Sequence, residues 1–79
     1  MVEGRAAPRY RVKKPAWIEH GGDKTACTVR DLSLTGASLE VADPTVVPAT
    51  FTLVVPEDGL KIDCRVIRRT EFRLGILFE

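Results

Sequence analysis

The chain has 79 residues, which is enough for one domain and leaves no room for a second. Hydrophobic residues make up 44% of the sequence and charged residues 29%, so we expect a folded core rather than disorder. A formal net charge of only +1 argues against a general DNA- or RNA-binding protein, and no apolar stretch approaches the roughly 20 residues of a membrane span.

The N-terminal segment is the most basic part of the chain. Residues 1–14 carry five basic side chains against one acidic, a formal charge of +4, whereas residues 15–79 carry seven against ten, a formal charge of −3. We therefore divide the chain into a flexible basic arm, residues 1–14, and a folded body, residues 15–79. The opening sequence lacks the apolar h-region of a signal peptide, so we expect a cytoplasmic protein without membrane insertion.

The first three predicted strands follow the arm. The Gly21-Gly22 pair and the turn residues after position 32 separate them. Alternation within the second strand puts Cys27, Val29 and Asp31 on one parity. The predicted ranges are residues 15–19, 25–32 and 37–41.

Three further strands complete the pattern, over residues 50–55, 60–66 and 72–78. Apolar residues alternate in the last two of them, at positions 60, 62, 64 and 66 of the fifth and at 72, 74, 76 and 78 of the sixth, so each has one face toward the core. Asp58-Gly59 reverses the chain between the fourth and the fifth. Gly75 interrupts the sixth, where we expect a bulge or a close backbone approach. One turn of helix is predicted near residues 45–47. Six short strands without helical crossovers favour an all-β antiparallel barrel or a tight sandwich.

Arg5 and Arg9 form the first candidate motif, here called the arginine motif. Pro8 restrains its own φ and favours extended geometry at Ala7, so this part of the arm is less floppy than its charge suggests. Guanidinium groups make bidentate contacts with phosphate or with the O6/N7 edge of guanine. The pattern thus suits a phosphate-bearing guanine nucleotide, although a solubilising tail has the same composition.

Asp31, Ser33 and Gly36 form the second motif, here called the aspartate motif, between the second and third strands. A carboxylate can accept hydrogen bonds from guanine N–H groups, and a hydroxyl can donate to a phosphate or accept from a base. Glycine permits positive φ and lets a backbone approach a ligand. The same residue types are also ordinary turn residues.

Together, the two motifs resemble the PilZ domain family. The spacing Arg-x-x-x-Arg, followed about two dozen residues later by Asp-x-Ser-x-x-Gly, carries the resemblance. Pro15-Ala16 in the first strand and residues 74–78 in the last extend it over nearly the whole chain. The resemblance implies a small six-stranded antiparallel β-barrel that binds cyclic di-GMP and is not an enzyme. No substantial C-terminal helix is expected, because the last strand ends close to Glu79.

The resemblance also implies roles for the motif residues. Arg5 and Arg9 would clamp the phosphates and guanine from the arm, Asp31 and Ser33 would bind the base from the barrel, and Gly36 would provide room. Ordering of the arm would then present a new surface to a downstream protein partner. Gly4 stands where many PilZ chains have a further arginine, so both a single ligand and a stacked pair remain open.

Three alternatives compete with a cyclic di-GMP receptor. A protein-interaction adaptor would keep the fold and lack the ligand. An oligonucleotide-binding barrel needs exposed aromatic platforms in a basic groove, for which the acidic body gives little support. An enzyme is disfavoured because we find no nucleophile–histidine pair, no phosphate loop and no zinc spacing among the two cysteines and one histidine.

Arg68 and Arg69 close the fifth strand. Arginines can stack on a base, but we assign this pair to a solvated strand end. No cofactor and no metal are expected.

Overall fold

The computed structural model describes residues 10–79, and all six predicted strands are present. β1 begins at Tyr10 rather than at Pro15, so the last residues that we assigned to the arm pair within the sheet. The predicted helical turn is a 3-10 helix, Pro44–Val46, and a second one spans Pro56–Asp58. The strands are β1 Tyr10–His20, β2 Asp23–Leu32, β3 Gly36–Glu40, β4 Thr50–Val55, β5 Leu60–Arg69 and β6 Arg73–Phe78.

The strands close into a barrel in the order β1-β2-β3-β6-β5-β4, and every neighbouring pair is antiparallel. The prediction of an all-β six-stranded antiparallel barrel is therefore confirmed, and the sandwich alternative is wrong. Closure pairs both edges of the sheet, which a domain this small needs because an open sheet would leave unpaired backbone groups at its margins.

Alternating apolar residues from all six strands fill the barrel interior. The largest fully buried side chains include Ile18, Leu39, Leu53 and Leu74, and no charged or polar residue among 10–79 is buried. The period-two pattern of β5 and β6 therefore predicted their inward faces well. Phe72 is an exception, since it precedes β6 and remains 54% exposed.

Glycines with positive φ make two of the chain reversals. Gly21 and Gly22 have φ values of 53° and 87° in the β1–β2 turn, and Gly59 has a φ of 62° after the second 3-10 helix. Residues with a Cβ rarely adopt this region, so these turns follow directly from the sequence.

Three irregularities in strand register lie near one end of the barrel. They fall between Arg11 and Lys14 in β1, between Val29 and Asp31 in β2, and between Val66 and Arg68 in β5. A bulge adds a residue to one strand and changes which face the following side chains occupy. The irregularity that we expected at Gly75 thus lies in β5, on the strand opposite this glycine.

None of the helices in residues 10–79 has the length and apolar composition needed to cross a membrane.

Candidate functional site

A cleft of about 670 Å³ opens where the β2–β3 turn faces the end of the β5–β6 pair. Its size falls within the range of small-molecule sites in proteins. All three residues of the aspartate motif line it, so the structure brings this motif together. The other lining residues include Ser38, Ile67, Arg68, Thr70, Arg73 and Gly75.

Asp31 reaches the cleft because β2 is irregular at Arg30. Strict alternation would place Asp31 on the face of Cys27 and Val29, which are buried. Instead Val29 opposes the fully buried Leu39, whereas Asp31 opposes Ser38, the next residue along β3 and on the other face. The shared parity of Asp31 with Cys27 and Val29 is therefore wrong, and its half-buried carboxylate lines the cleft.

Ser33 organises the turn between β2 and β3. Its Oγ accepts hydrogen bonds from the backbone N–H of Thr35 at 3.3 Å and of Gly36 at 3.2 Å. Its own backbone N–H donates to the Gly36 carbonyl at 2.9 Å, and its hydroxyl lies 3.2 Å from the same oxygen. The hydroxyl is thus already used within the turn, as serine side chains commonly are.

Gly36 is needed for strand packing rather than for positive φ. It is absent from the positive-φ glycines of residues 10–79, so that part of our expectation is wrong. A Cβ at this position would lie 2.1 Å from the Ile76 carbonyl oxygen and 3.3 Å from the Leu77 Cα on β6. Glycine is therefore required because the two backbones approach closely here.

Charges of opposite sign lie on opposite walls of the cleft. Asp31 is the acidic residue of the lining, and Arg68 and Arg73 are its basic residues. Within residues 10–79 none of the three makes an ion pair, although Arg11 directly opposes Asp31 in the register. The cleft can thus offer a hydrogen-bond acceptor on one side and guanidinium donors on the other.

Sequence reasoning missed the contribution of β5 and β6 to this cleft. We assigned Arg68 and Arg69 together to a solvated strand end, but only Arg68 lines the cleft. Arg69 instead donates to the backbone carbonyl of Pro44. Adjacent strand residues point to opposite faces, and the bulge at Ile67 determines that Arg68 rather than Arg69 is on the face of the cleft. No local pattern in the sequence marks this bulge.

The arginine motif, Arg5 and Arg9, lies outside the described residues. The described chain begins where Tyr10 pairs with Leu32, the residue before Ser33. The first described residue of β1 thus pairs with a residue that adjoins the aspartate motif.

The two cysteines are free and buried in the same core, with no disulfide between them. Burial raises the pKa of the Cys27 thiol to about 12 and that of the Cys64 thiol to about 11. Thiols held this strongly in the protonated form are weak nucleophiles and weak metal ligands. Within residues 10–79 no group of three or more potential ligands is placed to hold a metal ion.

Comparison with known protein families matches the sequence to one family. The sequence matches the PilZ domain family over residues 3–79, nearly the whole chain. A search of characterised proteins found no significant match. The family match spans both motifs as well as all six strands, so this chain belongs to the PilZ domain family.

Proposed function

We propose that this chain is a non-enzymatic receptor for cyclic di-GMP, the ligand for which PilZ domains are known as a receptor family. The observation that carries the proposal is the placement of Asp31, Ser33 and Gly36 around one cleft. The start of β1, at Tyr10, pairs with Leu32 beside this cleft. We assign the proposed site to Arg5, Arg9, Asp31, Ser33 and Gly36.

Asp31 provides the base contact in this proposal. An ionised carboxylate has only acceptor sites, and the adjacent N1–H and N2–H groups of guanine are donors that can match its two oxygens. Asp31 is half-buried, which strengthens such bonds because water competes less for them. No ion pair among residues 10–79 occupies the carboxylate, so it is available to a ligand.

Ser33 and Gly36 support the site chiefly by fixing its shape. The Ser33 Oγ holds the backbone of the turn, and its proton can rotate from the Gly36 carbonyl toward a ligand acceptor. Gly36 lets β3 lie against β6, which joins the two walls of the cleft. Both residues therefore act on the ligand mainly through the geometry that they give to Asp31.

Arg5 and Arg9 would add the phosphate contacts from the arm. Ordering a segment costs conformational entropy, and the charge-assisted bonds between guanidinium and phosphate would offset it. An arm ordered by ligand presents a surface that the free protein lacks, and a downstream protein partner could recognise it. We place the protein in the cytoplasm, because its two free thiols are typical of reducing compartments.

Isothermal titration of the purified chain with cyclic di-GMP tests this proposal, with GTP and cyclic di-AMP as control ligands. Saturable and selective binding supports it, and the stoichiometry distinguishes one ligand from a stacked pair. Arg9→Ala and Asp31→Ala should each weaken binding by about 1–3 kcal/mol, or about 5- to 150-fold, through loss of a charged hydrogen bond.

Circular dichroism should show that both variants keep the parent fold; Asp31 does not belong to the buried core. A variant that binds as tightly as the parent would contradict our assignment of that residue. A flat titration of the folded parent, at ligand concentrations of tens of micromolar, would favour the protein-interaction adaptor instead.

A further inference from the structure

Arg68 lies on the wall of the cleft across from Asp31. Asp31 opposes Ser38, Ser38 opposes Gly75, and Gly75 opposes Arg68 in the register of β2, β3, β6 and β5. Residues that oppose one another on neighbouring strands present their side chains on the same face of the sheet. These four residues therefore form one row on the outer face of the barrel, and all four line the cleft.

The length of this row suits a ligand with two recognisable halves. Neighbouring strands are about 4.8 Å apart, so the three intervals from Asp31 to Arg68 span roughly 14 Å along the sheet. A single base contacted by Asp31 does not extend as far as Arg68. A dinucleotide has a second base and a second phosphate, and it is long enough to contact both ends of the row.

A bulge turns Arg68 toward the cleft. Val66 opposes the buried Ile76 and packs against the core, so simple alternation would direct Arg68 inward as well. The register shift at Ile67 reverses this and places Arg68 opposite Gly75. The irregularity at Arg30 does the same for Asp31. Two bulges therefore place both charged side chains on the outer face that lines the cleft.

Arg68 differs from Arg65 and Arg69 in the contacts that its guanidinium group makes. Arg65 pairs with Glu79 at 3.6 Å, and Arg69 donates to the Pro44 carbonyl. Within residues 10–79 Arg68 forms no ion pair, and it is exposed on the cleft wall. A guanidinium placed in this way can make two parallel hydrogen bonds to a planar acceptor.

Gly75 keeps the space beside Arg68 open. A Cβ on Gly75 would lie 3.4 Å from the Arg68 Cβ and 3.9 Å from the Ile67 Cγ1. A side chain at position 75 would therefore occupy the floor of the cleft, between Ser38 and Arg68. With glycine there, the floor is backbone, and a ligand can lie close to it.

We propose that Arg68 is a further ligand-binding residue, which makes a bidentate contact with the second half of the bound dinucleotide while Asp31 binds the first guanine. The acceptor is the O6/N7 edge of the second guanine or a phosphate, both of which match the guanidinium fork. This inference rests on the proposed function, because it needs the same ligand in the same cleft.

Titration of the full chain with cyclic di-GMP tests the proposal with three variants. Arg68→Ala should bind about tenfold more weakly than the parent. Arg68→Lys should show most of this loss, because an ammonium group cannot form the planar fork. The matched control is Arg65→Ala, which removes an exposed arginine from the same strand outside the cleft and should bind within about twofold of the parent.

The outcomes separate this inference from the proposed function. A folded parent that does not bind overturns both. A parent that binds, together with an Arg68→Ala variant of unchanged affinity, overturns only the role of Arg68. Equal losses in Arg68→Ala and Arg65→Ala would show a general charge effect and also contradict a specific contact. Parent-like affinity in Arg68→Lys would show that a point charge suffices, which refutes the bidentate contact.

Discussion

Replacing Gly36 with alanine should destabilise the barrel strongly. The new Cβ would lie 2.1 Å from the Ile76 carbonyl oxygen, whereas ordinary contacts begin at 3.4 Å, so β3 and β6 must separate by about 1.3 Å. The obstacle is backbone and cannot rotate away. Overpacking that forces backbone shifts costs about 1–3 kcal/mol and sometimes more, and here we expect about 3 kcal/mol.

This loss is large for a domain of 79 residues, whose total stability we expect to be about 4–12 kcal/mol. Urea unfolding monitored by circular dichroism measures it directly. With a slope of about 1–1.5 kcal/mol per molar urea, the unfolding midpoint should fall by roughly 2–3 M. The Ser33 turn should loosen as well, because its hydrogen bonds converge on Gly36.

Gly75→Ala is the matched control for this experiment. It also adds one methyl group to a glycine in the β3–β6 pair, but the nearest atom is the Arg68 Cβ at 3.4 Å, so stability should change by less than about 1 kcal/mol. If Gly36→Ala unfolded at the parent's midpoint, the close approach of β3 and β6 would not be the reason for glycine. Parent-like stability with lost ligand binding would instead support a direct contact between Gly36 and the ligand.

The remaining predictions concern the core. Leu39→Ala removes a fully buried side chain and should cost about 2–5 kcal/mol in the same urea assay; a smaller loss would mean that the barrel collapses around the cavity. Cys27 and Cys64 should resist a thiol reagent at pH 8 until denaturant is added, and fast labelling of the native protein would refute their burial. Stability should fall as the pH rises above about 9, because the unfolded thiols then ionise while burial keeps the folded ones protonated; Cys64→Ala should reduce this slope.

Local sequence patterns were sufficient to predict the six strands and many of the buried residues. The alternation in β5 and β6 identified Cys64, Leu74 and Ile76 as inward-facing, since period-two patterning depends only on neighbouring residues. Gly59 marked a turn because few other residues adopt its φ of 62°. The two motifs, with their spacing, were also visible without a structure, and the family match over residues 3–79 spans both.

Only the tertiary structure decided which residues share the cleft. Asp31 and Arg68 each follow a register irregularity that reverses the face expected from alternation, and neither bulge has a sequence signature. The requirement for Gly36 comes from the Ile76 carbonyl on a strand about 40 residues away, a contact that exists only once β3 and β6 pair. The sequence by itself thus determined the strands, the turns and the motifs, because these depend on local geometry. The facing walls of the site depend on strand register, which closure of the whole barrel sets.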